Sequence, residues 1–210
     1  MIHGSTPPVI LKIGGSLAEG TFLRAWLKLA ADHSDRSIVI VPGGGPFADQ
    51  VRAAQPQLGF DDAVAHRMAL LAMEQYAIAM SGMEPRLCLA SSPITLERAL
   101  LRRDTALWLP SAMARGRPDL PESWEVTSDS LACWLANELC ARRVVLIKSA
   151  TPPENLTTAA ALARAGYVDA AFPRFRNQFR GEVAFMGAAD HASAAGALAA
   201  GRDFGTAIQS

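Results

Sequence analysis

Two short, almost wholly apolar runs, Val9–Ile13 (VILKI) and 37–41 (SIVIV), each stop at glycines and are each followed by helically spaced residues. The first meets Gly14-Gly15; the second meets Pro42 and then Gly43-Gly44-Gly45. A strand with one wet face alternates apolar and polar residues, whereas a strand covered on both faces reads as a continuous apolar run. These runs therefore demand a parallel sheet with helices on either side. The rest of the chain keeps the same alternation. Helices are expected over 22–31, with Phe22, Trp26 and Leu29 on one side, and over 47–54, 61–80, 95–103, 128–140, 155–165 and 169–179. Strands are expected over 86–90, 106–109, 143–147 and 182–186, with a surface loop over 110–123 and a weakly specified helix or tail over 192–201. Strands alternating with helices give an α/β αβα sandwich with a mainly parallel open sheet. No linker divides the chain, so one domain over 1–210 is expected.

Composition narrows the partners. Twenty basic and twenty acidic residues cancel, leaving no global field to draw in nucleic acid or an anionic membrane. No apolar run approaches the ~18–20 residues of a membrane helix, and the start of the chain has no basic-then-apolar signal pattern. A cytoplasmic protein is expected. Cys88, Cys133 and Cys140 form no C-x-x-C pair and read as buried, reduced thiols. His3, His33, His66 and His191 are too scattered for a histidine metal site, so no metal bound directly by protein ligands is expected. The Trp and Phe residues read as core.

The chemistry concentrates at loops. Glycines in Lys12-Ile13-Gly14-Gly15-Ser16 let backbone N–H groups approach an anion, and Lys12 adds a fixed positive charge. A tight turn beside a solvated lysine would look the same. The second loop, Gly43-Gly44-Gly45, follows the next strand, and loops at the carboxyl ends of parallel strands share one crevice. Neither loop fits G-x-x-x-x-G-K-[ST] or G-x-G-x-x-G, which excludes a P-loop and disfavours a dinucleotide fold. No G-x-S-x-G elbow occurs, so a serine hydrolase is unsupported. In Trp124-Glu125-Val126-Thr127-Ser128-Asp129-Ser130-Leu131, Thr127 or Ser128 caps the helix that follows, and Asp129 lies in its first turn. The same helix start reaches the crevice, where Asp129 orients Lys12 or holds a metal-bound phosphate. The chain has only three lysines, and two of them, Lys12 and Lys148, sit at strand ends. His66, in a helix with Met73 and Ala77 at helical spacing, reads by default as structural.

In order along the chain, KIGGS, PGGG and TSDSLA resemble the motifs of the amino acid kinase family. That resemblance implies an ATP-dependent small-molecule kinase that uses Mg²⁺. WEVTSDSL, AHRMALLAMEQYA and AFPRFRNQF further resemble the small archaeal-type kinases of methanofuran biosynthesis, which phosphorylate an aminomethylfuran-methyl phosphate. The likeness implies roles for particular residues. Lys12, with Lys148, would stabilise the transferring phosphoryl group, and Asp129 would fix the lysines. Gly14, Gly15, Ser16 and Ser128 would meet the nucleotide, whereas Gly43, Gly44, Gly45, Thr127 and His66 would hold the phosphorylated acceptor. One departure stands out: after Lys148 the chain runs S-A-T-P-P-E, shorter than the family's D-V-D-G-type turn and adenine loop. Lys148 would replace part of that turn's electrostatics, much as the K-A-T stretch does in uridylate kinases. The departure leaves two alternatives open beside the kinase: a non-catalytic binding subunit of a biosynthetic complex, and a kinase of another phosphate monoester such as a nucleoside monophosphate or isopentenyl phosphate. A homodimer or higher homo-oligomer, formed through the long helix around His66, is expected.

Overall fold

The apolar runs become strands, each feeding a helix. In the computed structural model, which describes residues 6–153 and 156–210, the order is β1 (Val9–Ile13), α1 (Leu23–Asp32), β2 (Ile38–Pro42), α2 (Gly45–Leu58), α3 (Asp62–Met83), β3 (Cys88–Ala90), α4 (Pro93–Leu101) and β4 (Ala106–Trp108). There follow α5 (Ser111–Ala114), α6 (Ser128–Glu138), β5 (Arg143–Lys148), α7 (Ala159–Arg164), α8 (Phe172–Gln178), β6 (Glu182–Gly187), α9 (His191–Ala199) and β7 (Thr206–Ala207). The described strands form one sheet in the order β3-β4-β2-β1-β5-β6-β7. Every neighbouring pair is parallel except β6 with β7.

From β1 the chain winds first to the β2 side and later, through β5, to the β6 side. The carboxyl ends of β1 and β5 therefore flank the point where the winding reverses, which is where an open sheet leaves a crevice. Pleating decides what points across the faces there. Side chains alternate along a strand: Ile10, Val144 and Leu146 pack with the α6 residues Leu131 and Leu135, while Leu11, Ile13, Val145 and Ile147 pack on the opposite face with Trp26 and Leu198. Lys12 and Lys148 share the parity of Ile10 and Leu146, so both face α6. All five residues of β1 are buried, each large aliphatic one contributing roughly 1.5–3 kcal/mol.

Helix starts use local chemistry. The Asp61 carboxylate accepts from Val64 N at 2.9 Å to open α3, and Ser92 with Thr95 forms a reciprocal capping box on α4. Several expectations are corrected. The surface loop over 110–123 contains α5 and buries Leu120, because the Glu74 carboxylate accepts from Ser111 N at 2.9 Å and holds the turn down. The helix expected from residue 169 begins at Phe172, with Asp169 in the turn before it. The helix expected over 155–165 begins at Ala159, and residue 155 lies outside the described residues. After α9 the chain adds the antiparallel β7, too short for any periodicity to announce. Of the cysteines only Cys133 is buried; Cys88 is half-buried, and Cys140, just past α6, is exposed. Thr127 precedes α6, but neither it nor Ser128 caps the helix by its side chain.

Candidate active site

Where β1 and β5 end, the two lysines meet the first turn of α6 on one carboxylate. Lys12 Nζ lies 2.8 Å from Asp129 Oδ1 as an ion pair, and Lys148 Nζ donates to Asp129 Oδ2 at 2.6 Å. Lys12 and Asp129 are each only 3% exposed, a degree of burial at which an unpaired charge is costly. Burial pulls the Lys12 ammonium from 10.5 down to about 8, Asp129 opposing that fall and Lys148 adding to it. Burial alone would raise Asp129, but the two ammonium groups outweigh it and hold the carboxyl at about 2. Asp129 is thus a fixed anion and Lys12 a cation with a loosened proton. Two cations share one carboxylate at the ends of β1 and β5.

The glycine turns after β1 and β2 lie against each other. A Cβ on Gly15 would stand 2.5 Å from Gly45 N, and one on Gly43 would run into Gly15 N. Gly45 takes φ +54, with Tyr76 packed 3.3 Å from where its Cβ would be. These positions are glycine because two backbones approach more closely than side chains permit. The turns do not offer all their N–H groups, however. Gly14 N donates to Ile147 O at 2.9 Å and Gly43 N to Ile13 O at 2.8 Å, continuing the sheet. Gly15, Ser16, Gly44 and Gly45 donate to no backbone carbonyl among the described residues. They are the amides left for an anion, those of Gly44 and Gly45 at the start of α2. Ser16 Oγ also lies 2.8 Å from Ser149 Oγ, tying the turn after β1 to the one after β5.

Above these turns opens a cleft of about 340 Å³. Gly15, Ser16, Gly44, Gly45, His66, Thr127 and Ser128 all line it. Gly14, Gly43, Lys12, Asp129 and Lys148 are not in the lining; the lysines reach it only through their neighbours, Asp129 following the lining residue Ser128 at the start of α6. His66 Nδ1 is 3.2 Å from Ser123 O, so this nitrogen carries the proton, and its buried Nε2 has no partner among the described residues. Burial lowers the His66 pKa against the opposing pull of Ser123 and Glu122, which favours the neutral ring. A second cavity of about 420 Å³ has Thr151, Pro152, Phe185, Met186, Asp190 and Gly187 in its wall, Gly187 being the β6 residue paired with Lys148.

Three residues here escaped the sequence reading. Trp124, expected in the core, lines the cleft and donates from Nε1 to Gln55 Oε1 at 2.6 Å. Arg52 lies over its ring at 4.4 Å. Asp169 sits behind Asp129, accepting from Thr127 N, Thr127 Oγ1, Ser130 N and Ser130 Oγ at 2.5–3.0 Å. Only Trp124 carried a signal, since it opens the W-E-V-T-S-D-S run; nothing in the local pattern at Asp169 points 40-odd residues back.

Comparison with known proteins places this arrangement. A uridylate kinase from Archaeoglobus fulgidus superposes with a TM-score of 0.69 at 14% identity, over 97% of this chain and 100% of that one. The UMP kinase of Bacillus anthracis gives 0.67 at 16%, over 97% and 96%, and that of Ureaplasma parvum 0.65 at 14%, over 87% and 90%. The chain thus shares the αβα fold of these kinases. The profile of the amino acid kinase family matches residues 7–151, and the chain belongs to that family. In sequence it is 30% identical over 138 residues to the [5-(aminomethyl)furan-3-yl]methyl phosphate kinase of Methanocaldococcus jannaschii, 65% of this chain and 63% of that protein. The aligned part is thus less than two thirds of that relative's length. Among the described residues no helix is long and apolar enough to cross a membrane.

Proposed function

We propose that this protein transfers the γ-phosphoryl group of ATP to a small phosphorylated acceptor, and that the acceptor is an aminomethylfuran-methyl phosphate or a close analogue. One observation carries the reading: two ammonium groups share the Asp129 carboxylate, whose neighbour Ser128 lines a glycine-lined cleft, while Gly187, paired with Lys148, lines a second cavity. The first cleft suits the acceptor. Its free amides and the start of α2 take a phosphate, and Trp124 offers an aromatic face to a flat ring. The second suits the nucleotide base, with Pro152, Phe185 and Met186 for its apolar edges and Asp190 for a donor. The triphosphate would then run past Lys148 and Ser149 to Gly15 and Ser16.

In this reading an acceptor phosphate oxygen attacks the γ-phosphorus. The bond from that phosphorus to the β–γ bridging oxygen breaks, giving a diphosphate and ADP. The acceptor oxygen is already anionic, so no general base is needed, and a carboxyl held at about 2 would make a poor one. Lys12 and Lys148 meet the charge that spreads over the equatorial oxygens, and Asp129 keeps both amines on the reaction line. The carboxylates do not form a cage for Mg²⁺. Asp129 is taken by two lysines, Asp169 by four hydrogen bonds, and no three His, Cys, Asp or Glu side chains converge among the described residues. Mg²⁺ is therefore assigned to the nucleotide phosphates, and no step above passes through it. Exposed Leu71 and Ile78, seven residues apart on α3, are read as part of the contact between copies.

The test is a phosphorus NMR assay with Mg-ATP against three acceptors: aminomethylfuran-methyl phosphate, UMP and isopentenyl phosphate. A β-phosphate resonance from the furan acceptor is expected. A chain that binds no nucleotide in calorimetry would instead be the non-catalytic subunit, and turnover of UMP alone would move the acceptor assignment.

A further inference from the structure

Asp169 belongs to none of the motifs, lies beyond the segment 7–151 that matches the family, and is spent entirely inside the protein. Its carboxylate accepts two backbone N–H groups and two hydroxyls, all from the first turn of α6 and the residue before it. Three of the donors converge on Oδ2 and the fourth, Ser130 Oγ, meets Oδ1; burial and the neighbouring Asp129 charge raise the Asp169 pKa, and these hydrogen bonds oppose that rise. Thr127 does not cap α6 by its own side chain; Asp169 does the capping from 42 and 39 residues away. A second tie runs beside it, Ala171 N donating to Glu125 O at 3.0 Å. Between Thr127 and Ser130 stands Asp129.

We infer that Asp169 is a positioning residue for the two lysines: it clamps the first turn of α6 so that Asp129 meets Lys12 and Lys148 together, and it adds a second negative charge behind them. The segment that ends at Asp169 is the one that leaves Lys148 and walls the second cavity through Thr151, Pro152, Pro153, Leu156 and Leu162. The clamp therefore joins the wall of the second cavity to the carboxylate that both lysines share. Lys12 faces Asp129 from α6, Lys148 from β5 and Asp169 from the turn before α8. The two carboxylates raise its proton affinity, while Lys148 and burial lower it. Removing the Asp169 charge should let Lys12 lose its proton at lower pH.

The proposal rests on the phosphotransferase reading for its consequence in rate but not for its consequence in structure, so the experiment has two arms. Because the chain has only three lysines, a sample ¹³C-labelled at lysine Cε gives three resonances, assigned by Lys→Arg variants and titrated in the full-length protein. In Asp169→Asn, whose carbonyl oxygen can keep the three donors of Oδ2 while its NH2 faces Ser130 Oγ, the charge is lost with the shape retained, and the Lys12 titration should move to lower pH. Ser130→Ala, which removes one hydroxyl only, should move it the same way by less, and serves if the Asn variant does not fold. In the kinetic arm kcat should fall roughly 10-fold or more with acceptor KM little changed, and the alkaline limb of the kcat–pH profile should shift with the lysine. A Lys12 titration identical to the unaltered protein's in both variants overturns the proposal, whatever happens to thermal stability. If the titration moves but the unaltered protein transfers no phosphoryl group to any acceptor, the clamp stands and the proposed function is what fails.

Discussion

Changing Asp129 to Asn keeps the shape of the side chain and removes the one charge that two lysines share. The carboxylate is 3% exposed, with ammonium groups at 2.8 and 2.6 Å, so water cannot take its place without opening the turn. Breaking a buried pair from one side costs ~3–5 kcal/mol when the remaining charge stays. Here the remaining charge has an escape. Lys12 titrates at about 8 even with Asp129 present, so giving up its proton at pH 7 costs no more than about 1.4 kcal/mol, one unit at 1.36 kcal/mol each. Destabilisation should accordingly stay near the lower end, about 3 kcal/mol, and shrink as pH rises. Catalysis has no such escape, because a neutral Lys12 and an untethered Lys148 no longer meet the phosphoryl oxygens. Loss of one preorganised charge-stabilising group lowers kcat about 100- to 1000-fold, and Asp129→Asn disturbs two. Stopped-time assays of ADP formation at saturating nucleotide and acceptor, with urea melts from pH 7 to 9, measure both effects. An Asn variant within a few-fold of the original kcat, or a stability loss that grows with pH, would refute this account.

Three further outcomes follow from the same geometry. Gly43→Ala drives a methyl group into Gly15 N; the two turns should separate, with loss of acceptor turnover and a Tm lower by several degrees in calorimetry. Trp124→Ala removes the aromatic wall of the cleft and the partner of Arg52 and Gln55; steady-state kinetics should show acceptor KM up about 10-fold, as for loss of ~1–1.5 kcal/mol of aromatic contact, with the KM for ATP unchanged. Acid unfolding should carry the mark of Asp129. Its folded pKa lies below the ordinary 3.8, at about 2, so the stability it gives is complete above about pH 4–5 and drains away as pH falls from about 4 through about 2. Asp129→Asn should flatten this part of a stability-versus-pH curve measured by denaturant melts.

Much of the fold was legible because continuous apolar runs, glycine stops and helical spacing are local signals. β1, β2 and β5 lie within a residue of where the apolar runs put them. The α3 start at Asp61 was visible as a carboxylate at a helix mouth. What local pattern missed was short or was held by distant partners: the two residues of β7, and α5, pinned by Glu74. In the site the two lysines and Asp129 were marked by motif, and their meeting is a finding of the structure. Trp124 was misplaced in the core because an indole that lines a cleft and one that fills a core have the same sequence signature.

The sequence by itself determined that a parallel sheet would form, that glycines would end β1 and β2, and, by the two-residue period of strands, that Lys12 would share a face with Ile10 and Lys148 with Leu146. Tertiary structure alone decided that α6 covers that face, that β5 rather than another strand lies beside β1, and that Asp169 returns from the turn before α8 to hold Asp129 in place. It also decided which amides remain free, since Gly14 and Gly43 surrender theirs to Ile147 and Ile13. The reason is physical. Periodicity encodes which side of an element is apolar, but the partner that covers it is chosen by strand order and packing across the whole sheet, and a buried charge cluster exists only after that choice is made.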